Sequence, residues 1–489
     1  MRNEGQRVAV FPGALPSGWA TATIGDIIGC DGLFVDGDWV ESKDQDPKGD
    51  VRLTQLADVG DGVYRNRSNR FLKYKKAVQL GCTFLQPNDL MIARMPDPLG
   101  KACIFPGDSK PSVTAVDVCI VRTGLHGANH PWLMYIINSP IFRSAIASLQ
   151  SGSTRKRISR SNLAKIEFPL PPLQEQHRIV AKIEELFTRL DAGVEALKKT
   201  KAQLKHYRQA VLKNTFEGKL TEEWREAHKG QMEPASVLLE RIREERRRNA
   251  KGKVRELPPL NTSDLPELPE GWMWARIGDI MEPSDEKVDP MKTEKMPYIG
   301  LEHIEKDSGH LLSYGYSSQV RSTKTRFYSG DLLYGKLRPY LNKVYVPDFE
   351  GICSTDILVF PKSCYIPNKF LSYRFLCGDF VRYASRNVSG VQHPRVNFNT
   401  LAQFVVSLPS LPEQHKIVEE VERHFYITDE IEKVVEQSLK QAERLRQSIL
   451  KRAFEGKLVP QDPADELAEE LLKRIKMEKA KRQATALKA

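Results

Sequence analysis

Residues 15–27, LPSGWATATIGDI, return at 268–280 as LPEGWMWARIGDI. Further on, LPPLQEQHRIV (170–180) returns as LPSLPEQHKIV (408–418), and VLKNTFEGKL (211–220) as ILKRAFEGKL (449–458). Such a chain folds as two copies of one plan. At roughly 240 residues each, the copies are far too long for a solenoid unit and suggest two domains sharing one structural device. From Gly152 and Gly390 onward the two copies run in step. All length change lies earlier, so each copy is a variable piece followed by a kept piece. The 489 residues leave room for two to four folded units.

The kept piece reads as helix. Ile183, Leu190, Leu197, Leu204 and Val211 recur every seven residues, the spacing of a coiled-coil seam. The second copy gives a rougher stripe, Ile427, Ile431, Val434, Val435, Leu439, Ala442, Leu445 and Ile449, which Thr428 and Ser438 interrupt. Its expected partner is the first helix. A helix over 174–214 would be about 60 Å long, a spacer rather than part of a small domain. Gly218 and Gly456 are the expected stops, and further helices are expected over 234–248 and 466–482. Ser410 and Glu413 have capping-box spacing, whereas Pro172 stands at the cap position of the first copy. Glu175 and His177, two apart on a helix, point in different directions and cannot form one catalytic pair.

The variable pieces, about 12–170 and 266–408, read as mixed α/β. DLMIARM, AVDVCIVR, DLLYGKL and DILVF look like strands; PWLMYIINSPIFRSAIASL and PNKFLSYRFLCGDFVRYA look like short helices. A Pro-rich linker spans 256–272. The expected fold is α+β: two α/β domains separated and followed by long helices forming an antiparallel coiled coil. The expected division is a first variable domain over 1–172, a central helical spacer over 173–255, linker and second variable domain over 256–410, and a C-terminal helical region over 411–489.

No catalytic constellation emerges. GDLLYGKL (330–337) approaches a phosphate loop, but Leu337 stands where a hydroxyl must bind Mg²⁺, and Leu332, Leu333 and Tyr334 are strand formers. His126 and His130 sit in HGANHP, where Gly127 and Pro131 argue for loop histidines rather than a ligand-bearing helix. There is no H-E-x-x-H and no G-x-S-x-G. The seven scattered cysteines read as thiols of a reducing compartment. Without a leader-like or membrane-spanning run, the expected location is the cytoplasm.

Charge points outward. Seventy-four Lys and Arg against 63 Asp and Glu give +11, a balance that favours a polyanion such as nucleic acid. The candidate DNA-binding residues are those that reach base edges or phosphates from loops. In the first copy they are Arg65, Asn66, Arg67, Arg70, Arg94, Lys101, Arg155, Lys156 and Arg157. In the second they are Lys324, Arg326, Lys336, Arg338, Asn342, Lys343, Gln392, His393 and Arg395.

Taken together, LPSGW with LPEGW, PPLQEQHRIV with LPEQHKIV, and the paired FEGKL make the chain similar to the specificity subunit of type I restriction-modification systems over nearly its whole length. The resemblance implies two target recognition domains, each reading one half of a bipartite, asymmetric DNA target, with helices fixing the gap. It implies a non-catalytic subunit of a phage-defence complex. Two modification subunits would use S-adenosylmethionine to methylate adenine at N6, and restriction subunits would use ATP and Mg²⁺; this chain itself would bind no cofactor. It also implies a spacer and subunit interface, for which the candidates are Glu175, Gln176, His177, Ile183, Leu190, Leu197, Leu204, Phe216, Glu413, Gln414, His415, Phe425 and Phe454. The rival readings are a self-contained nuclease, a coiled-coil scaffold without a DNA role, and a defence adaptor of the same architecture without a restriction partner.

Overall fold

A computed structural model describes residues 8–9, 13–96, 99–125, 127–152, 155–249, 258–292 and 295–486. His126 and the first two residues of the 256–272 linker lie outside them. The chain divides into two compact units, Met1–Leu197 with Gln437–Ala489, and Lys198–Glu436. The division falls within both long helices, Leu173–Phe216 and Leu411–Phe454, each of 44 residues and so about 66 Å long.

In the first unit an antiparallel sheet runs Leu33–Asp36, Val118–Arg122, Leu90–Ala93, Ala102–Ile104. A second sheet orders Phe71–Leu72, Val51–Thr54 and Ser112–Thr114. The run PWLMYIINSPIFRSAIASL, read as short helices, forms two, His130–Ile137 and Pro140–Leu149. Asn129 and Ser139 cap them through side-chain oxygens that accept from Trp132 and Phe142 amides, and Pro140 supplies the φ that starts the second. His130 therefore opens a helix instead of lying in a loop. Its Nε2 accepts the Thr123 amide at 2.8 Å, and burial holds its pKa below the usual value.

The second unit repeats the plan with different strands. A five-stranded sheet runs Lys287–Val288, Lys324–Phe327, Gly351–Cys353, Pro297–Ile299, Gly315–Tyr316. Beside it Val344–Tyr345, Leu332–Gly335 and Ile357–Phe360 pair antiparallel. All four residues of Leu332–Gly335 are buried, so the phosphate-loop lookalike is an internal strand.

A short sheet closes each unit onto its helices. Ile166–Leu170 pairs with Ala20–Ala22, and Val405–Leu408 with Met273–Arg276. The strand leaving each variable piece thus pairs with the strand that opened it. Two residues later the chain becomes helix.

The helices pair antiparallel within each unit. In the second, Lys201 bonds Glu436 at 2.6 Å, and Arg208 pairs with Asp429 and with Glu432 at 3.0 Å. In the first, Arg446 pairs with Asp191 and its guanidinium lies 4.1 Å from the Phe187 ring centroid. Ile183 and Val211 are buried at the two ends of the seam, while Leu190, Leu197 and Leu204 are half-buried.

The expected stripe of Leu411–Phe454 needs correction. Val435 and Ile449 face inward, but Ile427, Ile431, Val434 and Leu445 are exposed. Thr428, expected as an interruption, is buried, because its hydroxyl bonds back to the His424 carbonyl at 2.7 Å and leaves the methyl for the seam. Gly218 and Gly456 end the helices in the left-handed region, φ +73 and +67. The shorter helices follow at Ala235–Asn249 and Ala468–Ala486.

Candidate nucleic-acid interface

Two sets of residues recur in both units: a buried joint and a rim of polar loops. At the joint of the first unit the Glu175 carboxylate accepts the Trp19 indole N–H at 3.0 Å. In the second, Glu413 accepts from Trp272 at 2.7 Å, and also from Thr221 and Arg225 at 2.8 Å each. The amides of Gln176 and Gln414 donate to the Pro171 and Pro409 carbonyls, 2.9 Å in both. Each repeated motif therefore clamps the tryptophan of its own L-P-x-G-W.

The end of the opposite copy completes the clamp. In the first unit Gly456 packs against Pro16 and Trp19, and the Ala468 amide donates to the Gly18 carbonyl at 3.0 Å. In the second, Gly218 packs against Pro269, and the Ala235 amide donates to Gly271 at 2.9 Å. Phe454 joins the core of the first unit beside Trp132, and Phe216 that of the second beside Phe370.

These contacts correct the expected interface. Glu175, Gln176, Glu413, Gln414, Phe216 and Phe454 are buried inside a unit and present nothing to another chain; Phe425 is half-buried against Tyr373. His177 and His415 are exposed. No reciprocal capping box forms from Ser410 and Glu413. The carboxylate goes to Trp272, Thr221 and Arg225, and the Ser410 hydroxyl to the Met232 sulfur at 3.2 Å.

The two joints differ electrostatically. Glu413 has the Arg225 guanidinium as counter-charge. Among the described residues Glu175 has none so close: Arg178 is held by Asp465 at 2.6 and 3.1 Å, and one Glu175 oxygen is buried with no hydrogen-bond partner. Burial pushes the Glu175 pKa up, and the Trp19 bond offsets this only in part.

The rim carries the DNA-binding candidates. Arg65, Asn66, Arg67 and Arg70 are exposed on one loop of the first unit. Asp58, fully buried, shapes it: Oδ1 accepts the Arg67 and Ser68 amides at 2.6 and 2.8 Å, and Oδ2 the Gln55 amide at 2.7 Å. Asn66 at its crest has φ +49, a conformation Asn tolerates better than most residues. Sequence reasoning missed Asp58, because a lone acidic residue nine positions upstream carries no signal of its own. Arg155, Lys156 and Arg157 are exposed on a hairpin closed by paired 2.8 Å bonds between Ser151 and Arg157.

The same hairpin recurs in the second unit, closed by Ser389 and Arg395 at 2.8 and 2.9 Å. Gln392 and His393 are exposed on it, while Arg395 is anchored by Asp356 at 2.9 Å. Arg338 is exposed and Lys336 half-buried on the adjoining loop.

Other candidates turn inward. Arg94 pairs with Asp36 at 2.9 Å and donates to the Val116 carbonyl. Lys101 is half-buried, its carbonyl accepting from Ala93. Lys324 is buried with Nζ on the Ser322 carbonyl and hydroxyl at 2.8 and 2.6 Å, and burial lowers its pKa. Arg326 spans Glu350 and the Met296 sulfur, 2.9 Å each. Asn342 is 2% exposed, too deep to touch a base. Lys343 donates to the Leu301 and Ile304 carbonyls at 2.5 and 2.8 Å. The side chains of Arg94, Lys324, Arg326 and Lys343 thus have partners within the fold.

The class is that of a duplicated protein in which each unit repeats the same buried joint beside polar, cation-bearing loops. Among the described residues no group of three or more His, Cys, Asp or Glu is placed to hold a metal ion, and no helix is long and apolar enough to cross a membrane. The chain belongs to the type I restriction modification DNA specificity domain family, whose model matches residues 16–206 and 269–441. It is 32% identical over 339 residues to the type I restriction enzyme EcoDI specificity subunit of Escherichia coli, covering 67% of this chain and 72% of that protein. It is 26% identical to the EcoKI specificity subunit of E. coli strain K12, over 71% of this chain and 72% of that one. A chain from a structure titled for complex assembly and conformational transition of the type I R-M system has the same fold. Its TM-score is 0.65 at 17% identity, covering 91% of this chain and all of that one.

Proposed function

We propose that each unit reads one half of a bipartite DNA target, and that the long helices set the gap between the halves. Two modification subunits then methylate adenine N6 at that target using S-adenosylmethionine, and restriction subunits, with ATP and Mg²⁺, act at unmethylated copies. The cofactors are theirs. This chain contributes the choice of site.

The observation that carries this reading is the combination of a repeated joint with unlike rims. Trp19–Glu175 and Trp272–Glu413 hold the same geometry, yet the exposed side chains differ: arginines and Asn66 on one, Arg338, Gln392 and His393 on the other. Unlike readers on a like frame call for a non-palindromic target, since the pattern of donors and acceptors in the major groove must differ between halves. The exposed row Tyr426, Ile427, Ile431 and Val434 on Leu411–Phe454 is the docking surface proposed for a modification subunit, because an apolar face of this kind needs a cover.

The test is to sequence modified bases in a host with and without the gene, alongside its modification partner. The expected outcome is adenine methylation at one split, asymmetric motif that vanishes with the gene. An unchanged methylome refutes the reading. Exchanging residues 12–170 for another recognition domain should alter one half-site only.

A further inference from the structure

We propose that Arg338 and Tyr340 read sequence in the half-site of the second unit, Arg338 through the major-groove edge of a guanine and Tyr340 by packing against a neighbouring base or thymine methyl. This rests on the reading of the chain as a two-part DNA reader and names where one half of that reading is done.

The loop that carries them is held in an unfavourable shape. Arg338 has φ +51 and ψ +63, and Asn342 φ +43 and ψ +60, with the turn Pro339–Leu341 between. Asn tolerates the left-handed region, but for an arginine it is costly, and such strain survives only where the surroundings impose it, often at functional positions. Here three segments do so. The Arg338 amide donates to the Pro394 carbonyl at 2.7 Å, and the Val396 amide to Lys336 at 3.0 Å, joining the loop to the Ser389–Arg395 hairpin. The Asp307 amide donates to the Asn342 carbonyl at 3.2 Å. Lys343 bonds the Leu301 and Ile304 carbonyls.

What this frame presents is selective. Pro339 and Asn342 are buried, whereas Arg338 is exposed and Tyr340 is 49% exposed. Among the candidate arginines of this unit, Arg326 is held by Glu350 and Arg395 by Asp356; Arg338 makes no ion pair with the described residues. A guanidinium without an internal partner, on a backbone that cannot drift, suits bidentate recognition of guanine O6 and N7, which demands fixed geometry. A flexible phosphate contact would need no such mounting. Tyr340, two residues on, adds a rigid aromatic face with little rotamer entropy to lose.

The test uses the full chain with its modification partner and duplexes bearing the target found by methylome sequencing. One set varies each base pair of the second half-site; another varies the first. Arg338→Ala should bind the intact target roughly 5- to 150-fold more weakly, the span of one good bidentate contact. It should lose discrimination at one position of the second half-site and keep it everywhere in the first. Tyr340→Ala should relax an adjacent position. Arg338→Gly separates the side chain from the backbone, since glycine adopts the left-handed conformation freely: it should fail as Arg338→Ala fails. Arg338→Lys should not restore discrimination, lacking the planar fork.

Restored discrimination in Arg338→Gly would overturn the proposal, as would weakening that is uniform across all duplexes, or no weakening. A wild-type complex that discriminates at neither half-site would instead overturn the two-part reading itself.

Discussion

The two joints look alike and should respond unequally to one substitution. Glu413 accepts three hydrogen bonds, one from Arg225, and both side chains are largely shielded, 1% and 11% exposed. Glu413→Gln leaves the guanidinium without its counter-charge in a poorly solvated place. Breaking a buried pair on one side costs about 3–5 kcal/mol; because the amide oxygen still accepts one bond, the lower end, about 3 kcal/mol, is expected. Among the described residues Glu175 accepts one bond, from Trp19, and its second oxygen is buried without a partner. Glu175→Gln keeps the indole acceptor and removes a charge that burial disfavours, so the cost should fall within about 1 kcal/mol of zero at neutral pH.

The pH dependence supplies a second check. Burial raises the folded-state pKa of Glu175 above its ordinary value, so across the window between the two values the folded state binds more protons than the unfolded state. Stability of the first unit must then fall as pH climbs from the ordinary carboxylate value, about 4.3, through the folded-state value, and that loss should be absent in Glu175→Gln. Since two units need not unfold as one, the assay is hydrogen exchange resolved by peptide, comparing the amides around Trp19 with those around Trp272. Equal costs for the two substitutions would refute the electrostatic account, as would a pH profile of the first unit that Glu175→Gln leaves unchanged.

Three further outcomes are expected. Asp58→Ala removes the acceptor of three backbone amides and should loosen the Arg65–Arg70 loop, costing about 2–3 kcal/mol by the loss of buried hydrogen bonds and reducing discrimination at one half-site, read by exchange at 65–70 and by binding to half-site variants. Replacing Arg155, Lys156 and Arg157 together with alanine should weaken DNA binding across all sequences and flatten the slope of log affinity against log salt by at most about three; a change of preferred sequence would contradict a phosphate role. Phe454→Ala empties a fully buried site beside Trp132 and should cost about 3–5 kcal/mol, with exchange rising at Ile24 and Trp132 in the first unit.

The frame was legible because it is written twice. Both helices, their glycine stops and the strands DLMIARM, AVDVCIVR, DLLYGKL and DILVF stand where periodicity put them. What periodicity could not settle was the seam of Leu411–Phe454. Thr428 counts as polar in any pattern, yet a threonine that returns its hydroxyl to the preceding turn offers a methyl to its neighbours. Ile427 and Val434, counted as core, lie on the open side. The rim was legible only as a supply of cations. Lys324 and Arg338 are alike in the sequence, and only the strand that buries one and the left-handed turn that exposes the other distinguish them.

The clamps explain why the repeated segments are so alike while the loops are not. The glycine of each F-E-G-K-L meets the opening proline of the other copy, Gly456 on Pro16 and Gly218 on Pro269. Neither end of a copy is free to change alone, because its complement lies in the other. A glycine at that place has φ near +70 and a proline ring where a Cβ would fall, 2.5 Å in one unit and 2.4 Å in the other, so almost any substitution would open the clamp. The loops are shaped from within their own unit. Asp58 shapes one and Pro394, Asp307 and Lys343 another, each by local backbone bonds indifferent to the exposed side chains. A protein whose task is to recognise different sequences with one frame requires this division: contacts that cross between copies hold still, and contacts confined within a copy leave the reading surface free to vary.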